Sequence, residues 1–169
     1  LLEEVKIQSN FALSNLSLMG NASLINLNCS QNNLSSLDLT GCPALKVLSC
    51  HANNYGNTSD GISTLTGIEY CTLLEEIYCF RNDLSTLDLS SSPLLTKIYV
   101  YSQGDNSNSL TELDLRNIPV ANVTRMHAYS NSALSCISVD DSTLATSLSA
   151  NPYGISQGAE SPLYTWQVP

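Results

Sequence analysis

The sequence predicts a β-rich solenoid, in which the chain winds through successive coils and each coil contributes a short parallel strand. Three observations predict this fold class. A nine-residue motif, L-x-x-L-x-(L/C)-x-x-N, recurs along the chain, a shorter apolar motif recurs between its copies, and apolar and polar residues alternate inside both motifs. Such alternation is typical of strands with one buried face.

Copies of the nine-residue motif begin at six positions: Leu2, Leu24, Leu45, Leu74, Leu95 and Val123. Because one coil cannot bury its own apolar face, we expect the coils to stack at about 4.8 Å and to share a continuous core. The residue that closes each copy is predicted to form an internal polar ladder that satisfies backbone groups at the bend after the strand. Its members are Asn10, Asn32, Asn53, Asn82, Gln103 and Asn131.

The shorter motif begins at Leu13, Leu34, Ile62, Leu84 and Leu110, and a final copy, LSCISV, begins at Leu134. It predicts a second extended piece in each coil. Pro43, Pro93 and Pro119 recur after it, where a restricted φ suits a bend. Three aspartates recur inside the motif, and we interpret them as a solvated column on the outer side of the coil rather than as catalytic carboxylates: Asp38, Asp88 and Asp114.

The phrases LDLTGCPALKVLSCHANNY and LSCISVDD resemble the leucine-rich repeat family, and specifically the short, cysteine-tolerant repeats of bacterial surface proteins of the Bacteroides type. The resemblance covers roughly residues 2 to 140 and departs from the pattern at Val100, Gln103 and Ala128. It implies a leucine-rich repeat solenoid, with a right-handed coil, a curved parallel sheet on the concave face and little helix. It also implies a secreted or cell-surface protein with a role in adhesion.

We expect two domains: a solenoid of about six coils over residues 1–140, and a C-terminal cap over residues 141–169, with Trp166 packed on the last coil. A solenoid needs an atypical terminal unit to cover its open end. The first residues, LLEEVKIQSN, include neither an initiator methionine nor a signal-peptide pattern. We therefore expect a piece of a longer protein, whose signal or anchor would lie elsewhere.

Composition excludes several partners. The chain of 169 residues has six Lys and Arg against fifteen Asp and Glu, a net charge of −9, so it lacks the basic cluster that nucleic acid requires. No apolar run approaches the roughly 18 residues of a membrane span, so we expect no membrane insertion by this segment.

The six cysteines are interpreted mainly as buried free thiols, because Cys29, Cys50 and Cys79 occupy an inward slot of the repeat. A bridge between Cys42 and Cys71 stays open as an exception. His51 and His127 lie three coils apart, roughly 14 Å at the sheet spacing, so they cannot share a metal ion. No nucleophile–base or metal-binding motif occurs, so we expect no metal, no cofactor and no enzymatic activity.

The outward strand positions change character along the chain. The first three coils carry mostly small or polar residues there, whereas the last three carry two adjacent columns of rings. We expect these columns and their neighbours to form a ligand-binding concave face: Glu76, Tyr78, Phe80, Lys97, Tyr99, Tyr101, Arg125, His127, Tyr129 and, at its end, His51. Stabilisation of the sheet by cross-strand ring stacking is a competing and compatible interpretation.

Two insertions, NYGNTSDG at 54–61 and GDNSNS at 104–109, fall at the same point of the coil, so we expect both to project from one edge. Tyr55 and Asp105 would then form a rim beside the aromatic face, although tolerated surface insertions explain the sequence equally well. Calcium binding by GDNSNS is disfavoured because the loop lacks EF-hand spacing.

These observations predict a non-enzymatic interaction module of a bacterial surface or secreted protein that recognises a protein or peptide on its aromatic concave face. Two alternatives stay open. The module could bind a glycan, because flat aromatic faces also stack on sugar rings, or it could be a passive spacer in a longer surface protein.

Overall fold

The computed structural model describes residues 2–53, 61–101 and 110–140, together with the short strands Ile155–Ser156 and Thr165–Gln167. Within these ranges the chain is a parallel β-solenoid with almost no helix, which confirms the predicted fold class. The helical content of the described residues is two single-turn 3-10 segments, Ile68–Tyr70 and Val120–Asn122.

One seven-stranded parallel sheet contains a strand from each copy of the nine-residue motif. In spatial order its strands are β1 (Glu4–Lys6), β2 (Asn26–Asn28), β4 (Val47–Ser49), β6 (Glu76–Tyr78), β8 (Lys97–Tyr99), β10 (Arg125–His127) and β12 (Ile155–Ser156). The pairing is in register, so the central residues of the first six strands lie in one line: Val5, Leu27, Leu48, Ile77, Ile98 and Met126.

The shorter motif builds the other side of each coil. Five of its copies form strands, and β13 (Thr165–Gln167) of the C-terminal segment joins them. A four-stranded parallel sheet contains β7 (Thr86–Asp88), β9 (Glu112–Asp114), β11 (Cys136–Ser138) and β13, and a two-stranded one contains β3 (Ser36–Asp38) and β5 (Thr64–Thr66). In the strands from β1 to β11 the central residue is the least exposed of the three, as period-2 alternation requires.

The core is a continuous column of inward side chains between the two sides. From the second coil onward the inward slots are almost fully buried except at Leu65, whereas Val5, Ile7, Leu13 and Leu16 of the first coil are only partly buried. The first coil is less buried because the described residues place a neighbouring coil on one side of it only.

All six cysteines are free, and five of them are buried. Cys42 and Cys71 are not bridged, and the Cys71 thiol instead lies 3.6 Å from the Cys42 carbonyl oxygen. Burial raises the pKa of Cys29 and of Cys79 to about 12, so both thiols stay protonated and act as small apolar side chains.

The predicted asparagine ladder is present and links adjacent coils. The Asn82 amide donates to the carbonyl oxygen of Cys79 in its own coil, at 2.9 Å, and to that of Cys50 in the preceding coil, at 3.0 Å. Fully buried Asn32, Asn53 and Asn131 repeat this arrangement. Gln103 lies outside the described residues.

The residue before each asparagine has a positive φ of 54–61°, although none of these residues is glycine: Ser9, Gln31, Ala52, Arg81 and Ser130. The left-handed conformation turns the chain out of the sheet and lets the asparagine fold back beneath it. The bend is therefore set by the stacked coils rather than by local glycine freedom.

The boundary at residue 140 and the cap over 141–169 remain predictions. In the backbone, β12 pairs with β10 at the end of the seven-stranded sheet, and β13 pairs with β11 at the end of the four-stranded sheet. The remainder of 141–169 and the side chain of Trp166 lie outside the described residues.

Replacing Asn82 with alanine removes the partners of four backbone groups at a fully buried bend: the carbonyls of Cys50 and Cys79 and the N–H groups of Asn53 and Ile62. Each unsatisfied buried group costs about 1–3 kcal/mol. We expect the free energy of unfolding to fall by about 3 kcal/mol or more, measured by urea unfolding followed by circular dichroism.

Asn10→Ala is the matched control, because Asn10 closes the same motif but is exposed at the end of the ladder. We expect it to lower the free energy of unfolding by about 1 kcal/mol or less. Equal losses in the two variants would show that the buried amides do not hold the coils together.

Candidate binding surface

The first column of rings consists of Tyr78, Tyr99 and His127, which close strands β6, β8 and β10. Because these residues are paired in register, their side chains stand next to one another on the outward side of the sheet. The ring centroids of Tyr78 and Tyr99 are 4.9 Å apart, and those of Tyr99 and His127 are 4.7 Å apart, with the planes 20° and 11° from parallel. We call this set column 1.

Column 2 lies two residues further along each coil and contains four rings: His51, Phe80, Tyr101 and Tyr129. Successive centroids are 4.3, 4.4 and 4.6 Å apart, and the planes are within 14° of parallel. The parallel hydrogen bonding continues into this region, since Ala52 N–H donates to the Phe80 carbonyl and Arg81 N–H to that of Tyr101, at 2.9 and 3.1 Å.

The two columns touch at one end. The His127 ring lies 6.3 Å from that of Tyr101 and 5.8 Å from that of Tyr129, tilted by 56° and 64°. All seven rings are half-buried and none is in the core. The rings therefore lie on the outward side of the sheet and form one aromatic surface, while their role in binding stays a prediction.

A charged row borders column 1. Lys97 Nζ lies 2.7 Å from Glu76 Oε1, and Tyr78 Oη donates to Glu76 Oε2 at 2.7 Å. The hydrogen bond from Lys97, and then that from Tyr78, holds the pKa of Glu76 below its usual value. Burial, followed by the contact with Glu76, raises the pKa of Tyr78, so the phenol stays protonated and the carboxylate stays ionised. Arg125 pairs with Lys97 in the backbone and is exposed.

Both histidines of the surface are held neutral. Burial lowers the pKa of His51, and the nearby Arg81 lowers it further. Burial and then Arg125 lower the pKa of His127 in the same way. His51 Nδ1 is buried and has no hydrogen-bond partner within the described residues. A proton there would add an unpaired charge inside a ring stack.

Sequence reasoning missed Arg81. It follows Phe80 at the left-handed bend, outside the strand positions that were expected to face a ligand, and its side chain is exposed. The signal was available, because the equivalent residues of the described coils are small or uncharged: Ser9, Gln31, Ala52 and Ser130.

Two predicted rim residues, Tyr55 and Asp105, lie outside the described residues, as do most of the two insertions. In the described part of the chain, no group of three or more His, Cys, Asp or Glu is arranged to hold a metal ion. Over the same residues, no helix has the length and apolar character needed to cross a membrane.

These features define a parallel β-solenoid that carries an aromatic surface on its longest sheet. No protein-family model and no curated protein matches the sequence. Among solved structures, the chain is similar to the functional domain of InlJ from Listeria monocytogenes, which is described as including a cysteine ladder. The sequence identity is 20% and the TM-score is 0.41. The match covers 80% of this chain but 38% of the InlJ chain, so this chain spans well under half the length of the InlJ domain.

The stability of the protein should fall as the pH is lowered through the histidine range. The folded-state pKa of His51 and of His127 lies below the ordinary value of about 6.5, so the unfolded chain binds protons more readily. The stability that the two neutral histidines contribute to the folded state is fully present above about pH 6.5 and is lost as the pH falls through their folded-state pKa. Urea unfolding at a series of pH values between about 7.5 and 5, taken at roughly half-unit steps, measures the effect.

A His51→Phe, His127→Phe variant retains the stacked rings and removes both titrating groups. We expect its unfolding free energy to depend less on pH over the same range. Parallel profiles for the two proteins would show that the histidines of the columns do not control acid stability.

Proposed function

We propose that the chain is a non-enzymatic binding module that recognises a protein or peptide on the aromatic surface formed by columns 1 and 2. The observation that carries this proposal is the placement of seven rings in two touching stacks on the outward side of a sheet whose core is already complete beneath them. A contiguous aromatic patch that the core does not need is typical of an interaction site.

Sheet stability alone does not require these rings. Strands β2 and β4 pair in the same parallel register with Asn28 and Ser49 at the position of column 1. The coil of β2 carries Ser30 at the position of column 2, and the Ser30 hydroxyl donates to Asn28 Oδ1 at 2.7 Å. The same pairing therefore forms with small polar residues at these positions, which favours a functional reason for the aromatic half.

The character of the surface suits a protein ligand better than a sugar. Tyr99, Phe80 and Tyr101 each have a ring stacked on both faces, so a ligand meets mainly ring edges and phenol hydroxyls. Sugar rings stack on free aromatic faces, which the interior of a column does not offer. Tyrosine edges and hydroxyls, in contrast, provide apolar area and hydrogen bonding at low entropic cost, as in many protein-binding surfaces.

The resemblance of the repeats to those of bacterial surface proteins supports an extracellular or cell-surface setting, with adhesion as the role. The scarcity of basic residues argues against nucleic acid as the ligand.

The proposal is tested with a Tyr78→Ser, Tyr99→Ser, Tyr101→Ser variant on an array that carries host extracellular proteins and glycans. We expect the wild-type chain to bind one or more proteins and the variant to lose at least about tenfold in affinity, because aromatic anchors commonly dominate an interface. Surface plasmon resonance on the hits measures the affinities, and circular dichroism confirms that the variant is folded.

Tyr70→Ser is the matched control, because Tyr70 is exposed but lies in the 3-10 segment Ile68–Tyr70, away from both columns. It should bind like the wild type. If the triple variant bound as tightly as the wild type, the columns would not be the binding site. Hits confined to glycans would favour the sugar-binding alternative. An array without hits would favour the spacer alternative.

A further inference from the structure

The basic residues of this acidic chain are mostly neutralised by neighbours. The sequence contains six Lys and Arg and has a net charge of −9. Four of the six lie in ion pairs, with Nζ–oxygen distances of 2.7–2.9 Å for the lysines: Lys6 with Glu4, Lys46 with Glu75, Lys97 with Glu76, and Arg116 with Asp114.

The remaining two, Arg81 and Arg125, are exposed and form no ion pair within the described residues. Both border the aromatic surface. Arg125 stands two residues before His127 of column 1, and Arg81 directly follows Phe80 of column 2. The two arginines therefore flank the surface from opposite sides, two coils apart, with their backbones on the order of 20 Å from each other.

The electrostatic influence of each arginine reaches the rings. Burial raises the pKa of Tyr78, and Arg125 lowers it by a smaller amount. Burial likewise raises the pKa of Tyr101, and Arg81 lowers it by a smaller amount. Because both arginines are exposed and lie next to ring-bearing positions, each can pair with a ligand seated on the columns.

The rings themselves add to this preference. An aromatic ring has a negative face and a positive edge. Stacking within the columns covers the negative faces of the inner rings and leaves their positive edges to face outward. The surface therefore favours a negatively charged ligand, because it combines the outward ring edges with two cations that form no ion pair within the described residues. The net negative charge of the whole chain would, in contrast, repel such a ligand.

We infer that the ligand of the aromatic surface is an acidic peptide segment, whose carboxylates pair with Arg81 and Arg125 while its apolar side chains pack on the edges of the columns. Arginine binds carboxylates through two parallel hydrogen bonds, which gives this pairing direction as well as charge. The inference rests on the proposed function, because it names the ligand class of the same site.

A random peptide library of about 12 residues displayed on phage tests the inference directly. After selection on the wild-type chain, we expect Asp and Glu to be enriched at least about twofold over the unselected library. Selected peptides, synthesised and measured by fluorescence anisotropy, should bind the Arg81→Gln, Arg125→Gln variant at least about tenfold more weakly. Raising NaCl from about 50 to about 300 mM should weaken wild-type binding more than binding to that variant.

The chain offers matched controls for this variant. Gln31 already occupies the bend position equivalent to Arg81, so glutamine fits the left-handed backbone there. A Lys46→Gln, Arg116→Gln variant changes the net charge by the same amount but removes two cations that are paired with Glu75 and Asp114. It should bind the selected peptides as the wild type does.

The outcomes separate the inference from the function on which it rests. Peptides that depend on Tyr78, Tyr99 and Tyr101 but show no acidic enrichment and no dependence on the arginines would overturn the inference and leave the binding module standing. Peptides that bind the triple serine variant equally well, or a selection that enriches nothing, would overturn both. If the chain bound heparin but none of the displayed peptides, the ligand class would be an anionic glycan and not an acidic peptide.

Discussion

The hydrogen bonds of the buried asparagine amides hold this molecule together, because each amide joins the carbonyl of its own coil to that of the coil before it. A bond of this kind fixes the separation of two coils and their register at once. The apolar core, the parallel pairing and the left-handed bends all occur with that spacing. Each outward side chain of a paired strand therefore lies at a fixed distance from the equivalent side chain on the next strand.

That distance gives the surface its chemistry. Strands in a sheet lie about 4.8 Å apart, and the rings of the two columns lie 4.3–4.9 Å apart. Rings in register consequently stack face to face and offer their edges to a ligand. The proposed preference for edge contacts and for negative charge would then follow from backbone geometry as much as from the choice of tyrosine.

Much of this could be predicted from the sequence, because a period repeated six times fixes both the coil and the side on which each residue lies. The inward slot of Ile77, the amide of Asn82 and the neighbours Tyr78 and Tyr99 all followed from that register. Arg81 did not, because it lies at the bend, outside the strand positions that the period marks as outward. Ring orientation was also out of reach, since it depends on packing between coils rather than on periodicity.

The parallel register of the long sheet has a consequence for how such a surface can change. Inward positions are constrained by the stack, whereas the outward ones on β6, β8 and β10 contact mainly their neighbours on adjacent coils. Duplication of the coil that contains Tyr99 and Tyr101 would add one ring to each column and preserve every pairing around it. The aromatic surface would then lengthen in steps of about 4.8 Å, one coil at a time, without redesign of the core.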